Sequence, residues 1–166
     1  KVNWILFGIF SALGFLSKYL FIYVLASLFI YFILNLKRYK KFIPNYCLSI
    51  FISSLIVFPH FIWLYENNFV TIFYGLSRSE LNESVLINHL KYPIIFLFKQ
   101  ILILLPLFMM IFIILEKFKF KFKLKFKNKK ILFLLSITII PIFLILITSM
   151  ITGAKIRTMW MTPFYL

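Results

Sequence analysis

Acidic residues are nearly missing from this 166-residue chain: four Asp and Glu stand against nineteen Lys and Arg, a formal net charge of +15, and only 14% of residues carry charge. A soluble domain averages about a quarter charged residues, so this composition leaves almost no room for one. Cysteine is equally scarce. Cys47 has no partner in the chain, which removes disulfides and cysteine-based metal sites. Four glycines leave too few positions for the backbone nests of glycine-rich phosphate loops. No metal-ligand spacing, nucleophile elbow, heptad repeat or secretory signal with a small-residue cleavage site is present. Targeting therefore falls to the apolar segments themselves.

Those segments dominate the chain, which is 63% hydrophobic and 21% aromatic. Residues 43–63, 93–115 and 131–152 are each apolar for about the 20 residues that a hydrocarbon core of roughly 30 Å requires at 1.5 Å per residue. The block 4–34 is too long for one span, about 46 Å as continuous helix, and it carries Ser17, Lys18 and Tyr19 near its middle. A break there divides it into helices over 4–16 and 19–36. The expectation is an all-α, polytopic membrane protein with about five transmembrane helices. With Lys1 in first place and the chain turning apolar again over 160–166, it reads as an internal fragment of one multi-pass domain, 1–166.

Basic residues set the sidedness. Lys37, Arg38, Lys40 and Lys41 form one cluster, and the lysines from Lys117 to Lys130 form another. The positive-inside rule puts both connectors, 37–42 and 116–130, in the cytoplasm. Two helices separate them, so the assignment is self-consistent. The loop 64–92, with Glu66, Glu80 and Glu83, then faces outward together with the break at Lys18 and the tail from Gly153. Alternation of Lys with Phe or Leu over 117–127 could be taken for a nucleic-acid footprint. Its place between two transmembrane helices instead favours lipid headgroups or plain topology, and nucleic acid is not expected as a partner.

Candidate chemistry gathers on the outward side. Lys18 interrupts an apolar block at a cost of about 2.5–3.5 kcal/mol unless it reaches water, headgroups or a partner. It is either a snorkelling lysine or an ammonium held to grip an anion, such as the phosphate of a lipid-linked substrate. Pro59, His60, Trp63 and Tyr65 are ordinary interfacial anchors, although His60 could also donate to a phosphate or a sugar hydroxyl. Lys99 and Gln100 lie within snorkelling reach of the same surface. In the tail, Lys155 and Arg157 precede Trp160, Pro163 and Tyr165. That order fits a phosphate with a stacked sugar face, or an interfacial turn with snorkelling cations. Asn82-Glu83-Ser84 fits a glycosylation acceptor, a short pattern common by chance.

Three stretches, Gly14 to Tyr19, Phe58 to Thr71 and Lys155 to Tyr165, taken in that order, resemble glycosyltransferase family 39 and its protein-mannosyltransferase-like and aminoarabinose-transferase-like bacterial relatives. The resemblance implies part of a C-type glycosyltransferase transmembrane fold, and transfer of a sugar from a polyprenyl-phosphate carrier to a glycan, lipid or protein acceptor outside the membrane. It implies that Lys18 lies near the carrier phosphate, that Lys155, Arg157, Trp160 and Tyr165 belong to a later outward binding segment, and that His60 and Trp63 shape the acceptor side. The general base of such enzymes lies in an earlier outward loop, upstream of this fragment, and Glu66 does not replace it. No metal or other cofactor is required, and the expected location is a bacterial inner membrane. The alternatives are a transporter or flippase in which Lys18 and Lys99 line a path for an anionic lipid or solute, and a structural subunit. Scattered prolines and the lack of an internal repeat favour the transferase.

The sidedness makes a direct prediction. Cysteines placed at Asn67 or Asn82 react with a membrane-impermeant thiol reagent added from outside, and one at Lys121 does not; the reverse labelling pattern would overturn the topology.

Overall fold

A computed structural model of the chain describes residues 1–79, 86–118 and 129–157. Every element among them is helical: α1 (Val2–Ser17), a 3-10 turn (Tyr19–Phe21), α2 (Ile22–Leu34), α3 (Leu36–Tyr39), a second 3-10 turn (Lys40–Phe42), α4 (Ile43–Glu66), α5 (Val70–Ser77), α6 (Asn88–Phe118) and α7 (Lys129–Thr152). Three helical stretches are long and apolar enough to cross a membrane, Leu36–Glu66, Asn88–Glu116 and Lys129–Thr152. Residues 2–17 and 19–34 form shorter apolar helices. The expected count of about five spans is thus met by length for three.

Helix packing relies on small residues. Gly8, Ser11 and Ala12 recur at helical spacing and form the buried stripe of α1, which lies along Ser49 and Val57 of α4. A Cβ on Gly8 would sit 2.6 Å from the Ser49 carbonyl oxygen, so only glycine permits this approach. The Ser49 hydroxyl donates to the Trp4 carbonyl at 2.7 Å and ties the two backbones together. In hydrocarbon the hydrophobic effect does not drive helices together, and such close backbone approach and interhelical hydrogen bonding take its place.

Elsewhere the contacts follow the same rule. Tyr23 of α2 donates to the Thr148 hydroxyl oxygen of α7 at 3.1 Å, while Thr148 gives its own proton to the Ile145 carbonyl at 2.8 Å. Phe96 of α6 and Ile145 of α7 form a small buried core, against which Leu20, Val24 and Ile156 pack. Large side chains cover the exterior instead: Phe98 is 63% exposed and Phe112 67% exposed. Surfaces of this kind are tolerated where the solvent is lipid.

The helices have an unambiguous relative direction. Trp4 meets Tyr46 and Phe15 meets Phe61, so α1 and α4 run parallel. Tyr31 meets Phe133 and Tyr23 meets Thr148, so α2 and α7 run antiparallel. One end of the bundle therefore holds Lys18, His60 and the start of the tail, and the other holds Tyr39, Phe42, Lys129 and Lys130.

Gly8→Leu should force α1 away from α4, at about 1–3 kcal/mol for an overpacked contact. Thermal unfolding in detergent is expected to shift clearly downward for Leu and less for Ala; an unchanged transition for Gly8→Leu would show that the approach is not what holds these helices.

Candidate functional site

The break between α1 and α2 is built by Lys18. Its backbone is extended (φ −157°, ψ 115°) and its N–H still donates to the Gly14 carbonyl at 3.1 Å, so it closes α1 while starting a new direction. The Ser17 hydroxyl donates to the same carbonyl at 2.8 Å. Phe21 N–H then donates to the Lys18 carbonyl at 2.9 Å and begins the 3-10 turn. Lys18 is half-buried, which is not the posture of a freely solvated side chain.

The turn delivers Tyr19 to two other elements. Its hydroxyl lies 2.8 Å from His60 Nε2 of α4 and 2.9 Å from Thr71 Oγ1 of α5. A phenol has one proton, so Tyr19 donates to one of these atoms and accepts from the other. Trp63 stacks on the His60 ring, 5.8 Å between centroids and 13° between planes. A proton-bearing relay therefore runs across three segments from Thr71 through Tyr19 to His60.

Thr71 reaches this position because the chain reverses sharply after α4. Asn68 and Phe69 both adopt left-handed backbone conformations (φ 50° and 53°), which cost a non-glycine residue about 1–2 kcal/mol. Phe69 N–H donates to the Leu64 carbonyl at 2.8 Å and the Asn67 side-chain amide donates to the Trp63 carbonyl at 2.8 Å, closing the reversal. The segment 64–92, expected as a loop, thus contains the helix α5.

A cavity of about 650 Å³ opens beside this relay. Lys18, Tyr19, Thr71, Ser79, Thr148 and Thr152 supply its polar edge, and Phe15, Leu20, Ile22, Leu64 and Ile72 are among its apolar walls. The tail closes one side. Gly153 (φ +66°) ends α7, its N–H donating to the Ser149 carbonyl at 2.9 Å, and Lys155 N–H donates to the Ser79 carbonyl at 2.9 Å. His89 braces this turn from α6: its Nδ1–H donates to the Met150 carbonyl at 2.7 Å.

The sequence candidates divide accordingly. Lys18 lines the cavity; His60 and Trp63 stand beside it, joined through Tyr19. Lys155 and Arg157 are exposed and alternate with the lining residues Ala154 and Ile156. Trp160, Pro163 and Tyr165 lie outside the described residues, as do Glu80, Asn82 and Glu83. Glu66, at the end of α4, is exposed and is not among the cavity residues. Sequence reasoning did not select Tyr19 and Thr71 as site residues, although both stand in the quoted motifs. Thr148, Ser79 and His89 carried no usable signal, because single hydroxyls and a lone histidine in apolar or loop segments look alike until the helices are docked.

Tyr19→Phe removes both side-chain hydrogen bonds and leaves the aromatic packing. At about 0.6–1.5 kcal/mol for each bond, unfolding should move measurably, and a cysteine pair linking α1 to α5 should cross-link less efficiently. Wild-type stability together with wild-type cross-linking would mean that the relay holds nothing.

Comparison with known proteins bears on the first part of this site. Residues 1–63 match the model of the family described as dolichyl-phosphate-mannose-protein mannosyltransferase. No curated protein and no solved structure matches the chain. The matched stretch includes Lys18, Tyr19, His60 and Trp63, whereas Thr71, Lys155 and Arg157 lie beyond it. Over α1 to Trp63, therefore, the resemblance to membrane-bound glycosyltransferases of family 39 holds.

Proposed function

We propose that the chain is part of a membrane glycosyltransferase that takes a sugar from a polyprenyl-phosphate carrier and passes it to an acceptor on the outer face of a bacterial plasma membrane. One observation carries this reading: within the stretch matching the mannosyltransferase family, a half-buried lysine stands at the edge of a cavity of about 650 Å³ whose walls are mostly apolar. An isoprenoid phosphate has the same division, an apolar chain ending in an anion.

In this reading α1 and α2 also cross the membrane, giving about five spans of a C-type glycosyltransferase fold. Packing supports it more than length: the 16 residues of α1 measure about 24 Å, but α1 accompanies α4, a helix long enough to cross, from Tyr46 to Phe61. The basic end then faces the cytoplasm by the positive-inside rule, and the cavity opens outward.

The chemistry is a substitution at the anomeric carbon. The acceptor oxygen forms the new bond, the bond to the carrier phosphate breaks with its electron pair on the phosphate oxygen, and a base takes the acceptor proton. Lys18 stabilises the departing phosphate, an electrostatic contribution that grows as charge develops on the leaving oxygen. Lys155 and Arg157, exposed on the tail that borders the cavity, add positive charge near it. The Tyr19–His60–Thr71 relay fixes the wall beside Lys18, and Trp63 offers a flat apolar face to a sugar. No carboxylate stands among the described residues lining the cavity.

Lys18→Ala in the full-length protein should lower transfer from the lipid-linked donor by about 10- to 100-fold, the worth of one charge-assisted contact at roughly 1.5–3 kcal/mol, with membrane insertion intact. Lys18→Arg should retain part of the activity. Undiminished transfer by Lys18→Ala in membranes would remove the phosphate-gripping role.

A further inference from the structure

The opposite end of the bundle holds a second cavity that the transferase chemistry does not use. It measures about 480 Å³ and lies between the start of α1, the end of α2, the α3–α4 connection and the start of α7. Aromatic rings make most of its wall. Phe32 and Tyr46 stack at 4.8 Å and 10°, Trp4 stands edge-on to Tyr46 at 6.3 Å, and Tyr31 stands edge-on to Phe133 at 5.3 Å. These rings make a mostly apolar slot with room for about one acyl chain.

Its rim is basic. Lys129 and Lys130 line the cavity directly. The Arg38 guanidinium lies 5.5 Å from the centre of the Tyr39 ring and the Lys41 ammonium 5.1 Å from that of Phe42, and both of these rings belong to the wall. Cations from two separate connectors thus stand at this end, Lys129 and Lys130 in the wall and Arg38 and Lys41 beside wall rings, although 91 residues of sequence lie between Arg38 and Lys130. An aromatic box alone would suit a quaternary ammonium group. Four cations at this end repel one and attract a phosphate.

We propose that this cavity is a binding site for an anionic diacyl phospholipid from the membrane leaflet at the basic end, with one acyl chain in the aromatic slot and the headgroup phosphate among Arg38, Lys41, Lys129 and Lys130. The site is independent of the transferase reading and needs only that the chain spans a membrane. Its consequence is structural coupling. The lipid bridges α1, α4 and α7 at one end, while the Lys18 break, His60 and Thr148 depend on the same three helices at the other.

Trp4 provides the probe. In the Trp63→Phe/Trp160→Phe background of the full chain, reconstituted in nanodiscs of phosphatidylcholine, brominated phosphatidylglycerol should quench Trp4 fluorescence at a mole fraction roughly tenfold lower than brominated phosphatidylcholine does, as two or more lysines near a headgroup predict. The preference should shrink in high salt and in the Arg38→Gln/Lys129→Gln/Lys130→Gln variant, but not in Lys91→Gln, an exposed lysine at the other end of the bundle. Equal quenching by the two lipids would reduce the cavity to ordinary boundary lipid and overturn the proposal. So would preferential quenching by phosphatidylcholine, the signature of a choline cage. A phosphatidylglycerol preference unaffected by salt would equally exclude the cationic rim, and that measurement needs no rim variant to fold.

Discussion

The approach of α1 to α4 at Gly8 is the constraint on which the rest of the structure depends. Helices in hydrocarbon gain nothing from hiding Leu from lipid, so their association rests on what only close contact supplies. With Gly8 against the Ser49 carbonyl and the Ser49 hydroxyl on the Trp4 carbonyl, the register of the pair is fixed over its whole length. That register puts Phe15 opposite Phe61, and the break that follows at Lys18 then brings Tyr19 within hydrogen-bond distance of His60. The same register at the other end seats Trp4 between Phe42 and Tyr46. Both cavities are thus downstream of one contact between small residues.

Lys18 is placed by the same geometry. A lysine in mid-helix would have to snorkel from wherever its helix put it. Here the chain gives up helical conformation at Lys18 itself, so the residue that costs most to bury is also the one at which the backbone changes direction. The extended conformation brings Tyr19 round to α4 and α5, and leaves the lysine at the edge of an apolar cavity. A charge, a turn and a hydrogen-bonded relay are therefore products of one break.

How far this was legible in the sequence differs from element to element. The three long apolar helices announce themselves, because about 20 apolar residues have few other uses, and a charged residue within a 31-residue apolar block marks a discontinuity. Helix α5 did not announce itself. Its entry requires Phe69 in the left-handed region, a conformation no bulky residue advertises, and its eight residues are too few for periodicity to stand out. Lys18, His60 and Trp63 were readable as polar or interfacial exceptions on apolar helices. Thr71 and Thr148 were not, since a hydroxyl that returns its proton to its own helix, as Thr148 does to the Ile145 carbonyl, is indistinguishable in sequence from one that also receives Tyr23.

The two ends of the bundle solve opposite electrostatic problems with the same materials. At one end Lys18 alone among the described cations lines a wide cavity, with hydroxyls and an imidazole near it, an arrangement suited, in the proposed transfer, to holding and then releasing one anion. At the basic end several cations stand by a narrower aromatic slot, an arrangement that favours retention. Release requires a binding energy that does not greatly exceed the energy gained in the transition state, whereas a retained lipid has no such limit. The excess of nineteen basic over four acidic residues is accordingly uneven: most of it lies in the two connectors, and at the other end Lys18 is the one cation among the described residues lining the wide cavity.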